Sequence, residues 1–115
     1  VVGAVSVVHA CAGRVGGITG LRRVAVMAEE RGIVFTPHSW TNGLGVVAND
    51  QLTAGIGCAP FIEFPLDPRE WSLDRRDFFL ETPVDVDGNG DLVLSDSPGF
   101  GVSLDEERVK ATRIE

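Results

Sequence analysis

The sequence predicts an α/β fold of successive βα units, and three observations carry that reading. Three short apolar runs, Ala4 to Val8, Ile33 to Thr36 and Phe61 to Phe64, lack the polar alternation of a half-wet strand. They read as parallel strands buried on both faces. Their centres, Val7, Phe35 and Ile62, lie 28 and 27 residues apart, which is the spacing of a βα unit. The stretches between them carry helical periodicity. Two right-handed crossovers joining three parallel strands give βαβαβ, part either of a doubly wound sheet or of a (β/α)8 barrel.

The chain enters its first apolar run at Val1 without a Met or a polar lead-in, so a segment of a longer protein is expected. Ile18, Leu21, Val24, Ala25 and Ala28 then fall on one helical stripe, with Arg22, Arg23, Glu29 and Glu30 off it. Thr19 is placed as its cap and Gly32 as its C′ stop. Leu44, Val47, Ala48 and Leu52 give a weaker second stripe, interrupted by Gly45. After Pro65 the character changes. Asp67 to Trp71 reads as an irregular connection, and Ser72 to Phe79 as a short helix with Trp71, Leu73, Phe78 and Phe79 on its apolar side. Val84 to Val86 and Leu92 to Leu94 flank the turn-rich Asp87-Gly88-Asn89-Gly90-Asp91 and predict a β-hairpin. Pro98 to Val102 turns into a last strand, and Leu104 to Lys110 reads as a terminal helix. Residues 1–65 thus form the layered unit and residues 66–115 a tail.

Ten Lys and Arg against 17 Asp and Glu give a net charge of −7 across 115 residues. That charge repels polyphosphate and argues against nucleic-acid or anionic-membrane partners. No apolar run reaches the roughly 18 to 20 residues of a membrane span, and nothing resembles a signal peptide. Cys11 and Cys58 are too few and too far apart for a disulfide framework. A soluble, cytoplasmic setting is expected.

In parallel α/β folds the chemistry sits beyond the carboxyl ends of the strands. The first run ends at His9-Ala10-Cys11, the second at Pro37-His38-Ser39-Trp40, and Glu63 lies near the end of the third. Successive strands would deliver a base, a carboxylate and a thiol to one rim. Each also has a plainer reading: a structural histidine, a loop anchor, a small buried hydrophobe. Asp85 to Asp91, with Asp96 in the twelfth place, matches most of an EF-hand loop. Pro83 before it and Pro98-Gly99 after it are hostile to the flanking helices such a loop needs. A hairpin turn is the favoured reading, and a calcium-binding or interaction module is the alternative class of function.

Ala12-Gly13-Arg14-Val15-Gly16-Gly17-Ile18-Thr19-Gly20, Thr36-Pro37-His38-Ser39-Trp40-Thr41-Asn42-Gly43, Phe61-Ile62-Glu63-Phe64-Pro65 and Pro98-Gly99-Phe100-Gly101-Val102 together resemble the closing part of the mandelate racemase/muconate lactonizing enzyme group of the enolase superfamily. The resemblance implies strands six to eight of a modified (β/α)8 barrel, followed by a tail packing toward an amino-terminal capping domain. A whole barrel needs about 250 residues, so the segment alone is expected to be inactive. The implied chemistry is abstraction of the proton α to a carboxylate of a hydroxy acid or sugar acid, leading to racemisation, cycloisomerisation or dehydration. His38 takes the place of the proton-transferring His, and Glu63 that of the Glu that hydrogen-bonds the substrate carboxylate. Ser39 and Trp40 are placed as substrate-binding residues. The resemblance further implies Mg²⁺, with its three acidic ligands upstream and none in this segment, a small-molecule carboxylate as partner, and a homo-oligomer at full length.

One departure stands out. Where the family pattern has an Asp five residues before the glycine pair, orienting the His, this sequence has Cys11. A thiol is a poor substitute for that carboxylate, so a catalytically inactive relative remains an alternative. His9 and Ala10 are also unusual beside the family's common residues there. The glycine-rich Gly13 to Gly20 matches neither a dinucleotide fingerprint nor a Walker loop and reads as a tight turn from strand to helix.

Overall fold

The computed structural model describes residues 3–67 and 69–114. The apolar opening at Val1 and Val2, and Pro68 in the irregular connection, lie outside the described residues. The fold is α/β, as expected. Strands β1 (Val7–Ala10) and β2 (Val34–Pro37) pair in parallel, with Val8 opposite Phe35 and His9 opposite Thr36. The ladder runs on past both ends, through Val34 N–H to the Ser6 carbonyl and His38 N–H to the Ala10 carbonyl. The crossover between them is helix α1 (Gly17–Glu29), and α2 (Gly43–Ala54) follows β2.

The strands are wet on one face, which corrects the expectation of burial on both. Phe35 is fully buried beneath the helices while Val7, on the other face, is half exposed. Leu21, Ala25 and Ala28 of α1, Phe35 of β2, Leu52 of α2 and Ala12 form one core, with Val8 and Ala10 packed against it. Both helices therefore cover the same face of the sheet. The predicted stripe of α1 is the one it buries, because residues three and four apart share a side.

The third predicted strand, Phe61 to Phe64, forms no ladder among the described residues. The chain does run beside β2, where Phe35 N–H donates to the Cys58 carbonyl at 3.0 Å, but Ile56, Cys58 and Ala59 supply the packing against the core. Pro60 and Pro65 bracket the predicted run and offer no N–H to a ladder. Phe61 is 73% exposed whereas Ile62 to Phe64 are half-buried and Pro65 is buried, so that run is irregular chain along the edge of the core.

The caps explain where the helices begin. Thr19 lies inside α1 and caps nothing. Gly16 is the N-cap, and Gly16 and Gly17 both have positive φ, 89° and 79°. This left-handed pair is why two glycines stand together where the strand turns into the helix. At the other end Gly32 is left-handed, and Ile33 N–H and Gly32 N–H donate to the carbonyls of Ala28 and Glu29, a Schellman closure in the predicted place. Asn42 caps α2 by accepting from Gly45 N–H at 3.1 Å.

The tail holds little regular structure. The predicted Ser72 to Phe79 helix contracts to α3 (Leu73–Arg76), and the terminal helix α4 spans Glu106–Ala111 with Asp105 as its cap. The predicted hairpin is one bridge, Val86 to Leu92, and the last strand is also only a bridge, Leu80 to Leu104. Hydrogen bonds to side chains replace ladders here. In the turn, Asp87 Oδ1 accepts from Asn89 and Asp91 N–H, and these bonds, that from Asp91 foremost, hold its carboxyl below the usual carboxylate range. No helix flanks this loop between Arg76 and Glu106, so the EF-hand arrangement is absent from the described residues.

A buried ion pair ties the tail to the layered unit. The Arg76 guanidinium donates to both carboxylate oxygens of Asp77 at 2.6 and 2.7 Å and to the carbonyls of Pro65 and Val84. It also stacks 4.5 Å from the centre of the Phe64 ring. Asp77 lies so close to Gly43, the first residue of α2, that no side chain fits there.

Candidate active site at the strand ends

His9 projects from the wet face of β1, and the parallel register sets it beside the end of β2, one step from His38. The two imidazole rings meet edge to face with centroids 5.2 Å apart. Glu63 comes to the same rim from that irregular segment, with Oε2 4.0 Å from Nε2 of His9 and 4.0 Å from Nε2 of His38. These separations are too long for hydrogen bonds, so the carboxylate faces both rings without being tied to either. What fixes it is the backbone N–H of Ser39, which donates to Oε2 at 2.6 Å. Oε1 accepts no hydrogen bond among the described residues.

The expected rim is thus assembled from His38 and Glu63. Cys11 is buried just past β1, and its carbonyl accepts from Arg14 and Val15 N–H in the turn to α1. Its thiol makes no hydrogen bond among the described residues. Cys11 and His38 nevertheless border one open depression of about 530 Å³, together with His9, Ala10, Arg14 and Val15. Ser39 is fully buried, with its hydroxyl accepting from Asn49 at 2.9 Å, whereas Trp40 is half exposed.

Asn49 is the residue that sequence reasoning missed. It is fully buried on α2. Its Oδ1 accepts from Ala12 N–H at 3.2 Å, and its Nδ2 donates to the His38 carbonyl at 2.8 Å as well as to Ser39 Oγ. One amide therefore clamps the chain after β1 to the chain after β2. The available signal was a polar side chain within an apolar helix, next to the predicted stripe. Arg14 was quoted only as part of the turn, yet it brings the one positive charge that does not depend on protonation to the edge of the depression.

The residues present do not make a magnesium site. Among the described residues no group of three His, Cys, Asp or Glu side chains is placed to hold a metal ion.

Comparison with known proteins identifies the family and the fold. Residues 2–108 match the family described as enolase C-terminal domain-like. Arabinonate dehydratase of Saccharolobus solfataricus is 30% identical over 89 residues, covering 77% of this chain and 22% of that protein. D-galactarolactone cycloisomerase of Agrobacterium fabrum is 26% identical over 104 residues, covering 86% and 27%. The crystal structure of a mandelate racemase/muconate lactonizing enzyme from a Sulfitobacter species superposes with a TM-score of 0.79 at 27% identity, covering 95% of this chain and 26% of that one. The chain thus spans about a quarter of the length of the curated relatives it matches. With a match across nearly its whole length, the chain belongs to the enolase C-terminal domain-like family, within the mandelate racemase/muconate lactonizing enzyme group of the enolase superfamily.

Proposed function

We propose that this chain supplies strands six and seven, the segment through Glu63 that runs in the place of strand eight, and the tail of an enolase-type barrel whose whole protein abstracts the proton α to the carboxylate of a hydroxy acid or sugar acid. The observation that carries the reading is the placement of Glu63 Oε2 4.0 Å from both His9 and His38 at the strand ends. His38 Nε2 is the base that takes the α-proton. Glu63 hydrogen-bonds the substrate carboxylate as negative charge grows on it. Arg14 draws the anion toward the depression, the half-exposed Trp40 after β2 contributes to substrate binding, and Ser39 positions Glu63 through its backbone. Mg²⁺, held by residues outside this segment, supplies charge neutralisation when bound. The sugar-acid names of the two curated relatives, a dehydratase and a cycloisomerase, support that substrate class. Without the metal ligands the segment alone is inactive, and the whole protein is a homo-oligomer.

Cys11 in the place of the partner carboxylate favours a second reading, a relative that binds acids without turning them over. One experiment separates the two. The whole protein, with Mg²⁺ and a panel of sugar acids in deuterium oxide, should exchange the α-proton of at least one acid. Binding of an acid without exchange of any member would leave the inactive relative.

A further inference from the structure

The molecule holds a second cavity, sharing no residue with the depression at His38. It lies between α2 and the tail, has a volume of about 350 Å³, and is walled by Val47, Val84 and Phe100 among others. Asp50 lines it from the middle of α2, and Glu81 and Asp85 stand at its exposed edge. No Lys, Arg or His borders it.

Asp50 is the anomaly. The residue is only 8% exposed, its carboxyl oxygens open onto the cavity rather than being sealed in the core, and among the described residues they accept no hydrogen bond and meet no cation. Burial alone pushes it up to about 6. A carboxylate held in a half-enclosed cavity without a protein partner destabilises the fold when charged, unless a cation joins it there. An Asn or Leu at this helix position would avoid that cost. The neighbouring Asn49 is just as buried, yet its amide is fully used.

The missing partner has a chemistry. It is a cation, because three carboxylates and no base border the space. It is not a metal ion, because these carboxylates do not converge on one point. It carries apolar surface, because the walls are Val47, Val84 and Phe100. We propose that the cavity between α2 and the tail binds a protonated alkyl amine, its ammonium paired with Asp50 and its chain lying along Val47, Val84 and Phe100. Glu81 and Asp85 at the edge favour a second ammonium, so a short diamine fits better than a monoamine.

The test uses the whole protein at pH 7.5 and low salt, titrated calorimetrically with butane-1,4-diamine and with butylamine. Saturable binding of one diamine per chain is expected, weaker binding of butylamine, and a higher Tm with diamine present. Asp50→Asn should weaken diamine binding about tenfold or more, the size expected when one partner of a buried charge pair is removed. The same variant should raise Tm in the absence of amine, because it removes an unpaired buried charge. Absence of saturable heat with either amine overturns the proposal, as does undiminished binding by Asp50→Asn. A lower Tm of that variant without amine also overturns it, since Asp50 would then be paired with another part of the protein. Wild-type stabilisation by diamine is read without any variant, so the outcome does not depend on how Asp50→Asn folds.

Discussion

The backbone N–H of Ser39 donates to Oε2 of Glu63 at 2.6 Å, so the carboxylate that faces both histidines is also the anchor of the segment leaving β2. Position and chemistry therefore separate by substitution. Glu63→Ala leaves that N–H without its acceptor and should cost about 1–3 kcal/mol in urea unfolding of the whole protein. Glu63→Gln keeps an acceptor and should stay within about 1 kcal/mol of wild type, while α-proton exchange falls roughly 10²-fold or more because the amide cannot exchange a proton with the substrate. Equal activity of wild type and Glu63→Gln would remove Glu63 from the mechanism.

Asn49 makes three hydrogen bonds from a fully buried position. Asn49→Leu, of similar volume, would strand the Ala12 N–H and the His38 carbonyl together. Each unpaired buried group costs about 1–3 kcal/mol, so a loss of about 2–6 kcal/mol is expected in the unfolding free energy read by urea titration. The amide of Ala12 should also lose hydrogen-exchange protection. A neutral substitution would mean that the clamp is not needed to hold the two strand ends.

How far the sequence predicted this arrangement depends on which forces act locally. The α1 stripe of Leu21, Ala25 and Ala28 and the stop at Gly32 were legible because periodicity and left-handed glycine are local properties. His38 and Glu63 were legible as a pair because strand ends in parallel folds converge. The lack of a third ladder was not, because a ladder needs a neighbour's backbone, and apolar content alone does not distinguish a strand at Phe61 to Phe64 from irregular chain between prolines. Asn49, Asp50 and the Arg76–Asp77 pair were invisible for a related reason. Their burial follows from how the tail and the loops fold over α2, contacts made at long range.

The Arg76–Asp77 pair is buried on both sides and bonded to Pro65 and Val84. Asp77→Ala would leave an uncompensated guanidinium inside, and breaking a buried pair in this way costs about 3–5 kcal/mol. It would also strip the acceptor from Val84 N–H, now bonded at 2.7 Å. The expected signature is loss of the tail's protection from limited proteolysis before the layered unit opens. Simultaneous loss throughout the chain would show that the tail has no separate stability.

Asp50 sets a pH dependence whose sign is the reverse of an ordinary paired carboxylate. Burial raises it from 3.8 to about 6 in the fold, so the folded state prefers it neutral. Its contribution is complete below pH 3.8 and is lost as pH rises through about 6. The loss amounts to at most about 3 kcal/mol. The difference in unfolding free energy between Asp50→Asn and wild type should therefore grow in the variant's favour from pH 4 to pH 7. A flat difference across that range would mean that the carboxylate is not buried unpaired in the whole protein.

His38 and Cys11 give the sharpest test of the chemistry. If His38 is the base, His38→Asn in the whole protein should abolish exchange of the α-proton with deuterium while magnesium binding is retained, because the amide stays polar and similar in size but cannot carry the proton. Loss of a general base lowers the rate about 10² to 10⁴-fold, and more where the group acts within a coupled unit. Cys11 borders the same depression as His38 at the position where the family pattern has an Asp. A carboxylate there would hold the imidazole in one orientation and stabilise the imidazolium that forms on proton transfer, so Cys11→Asp should raise turnover. The structure adds a competing outcome, because Glu63 already faces both His9 and His38 at 4.0 Å. If Glu63 has taken over the charge that the family pattern assigns to the first strand, Cys11→Asp will leave turnover unchanged or reduce it by burying a second carboxylate beside the first. The double variant Cys11→Asp, Glu63→Gln decides between the two: recovery over Glu63→Gln alone would show that one carboxylate can stand in for the other, and no recovery would confine that charge to Glu63.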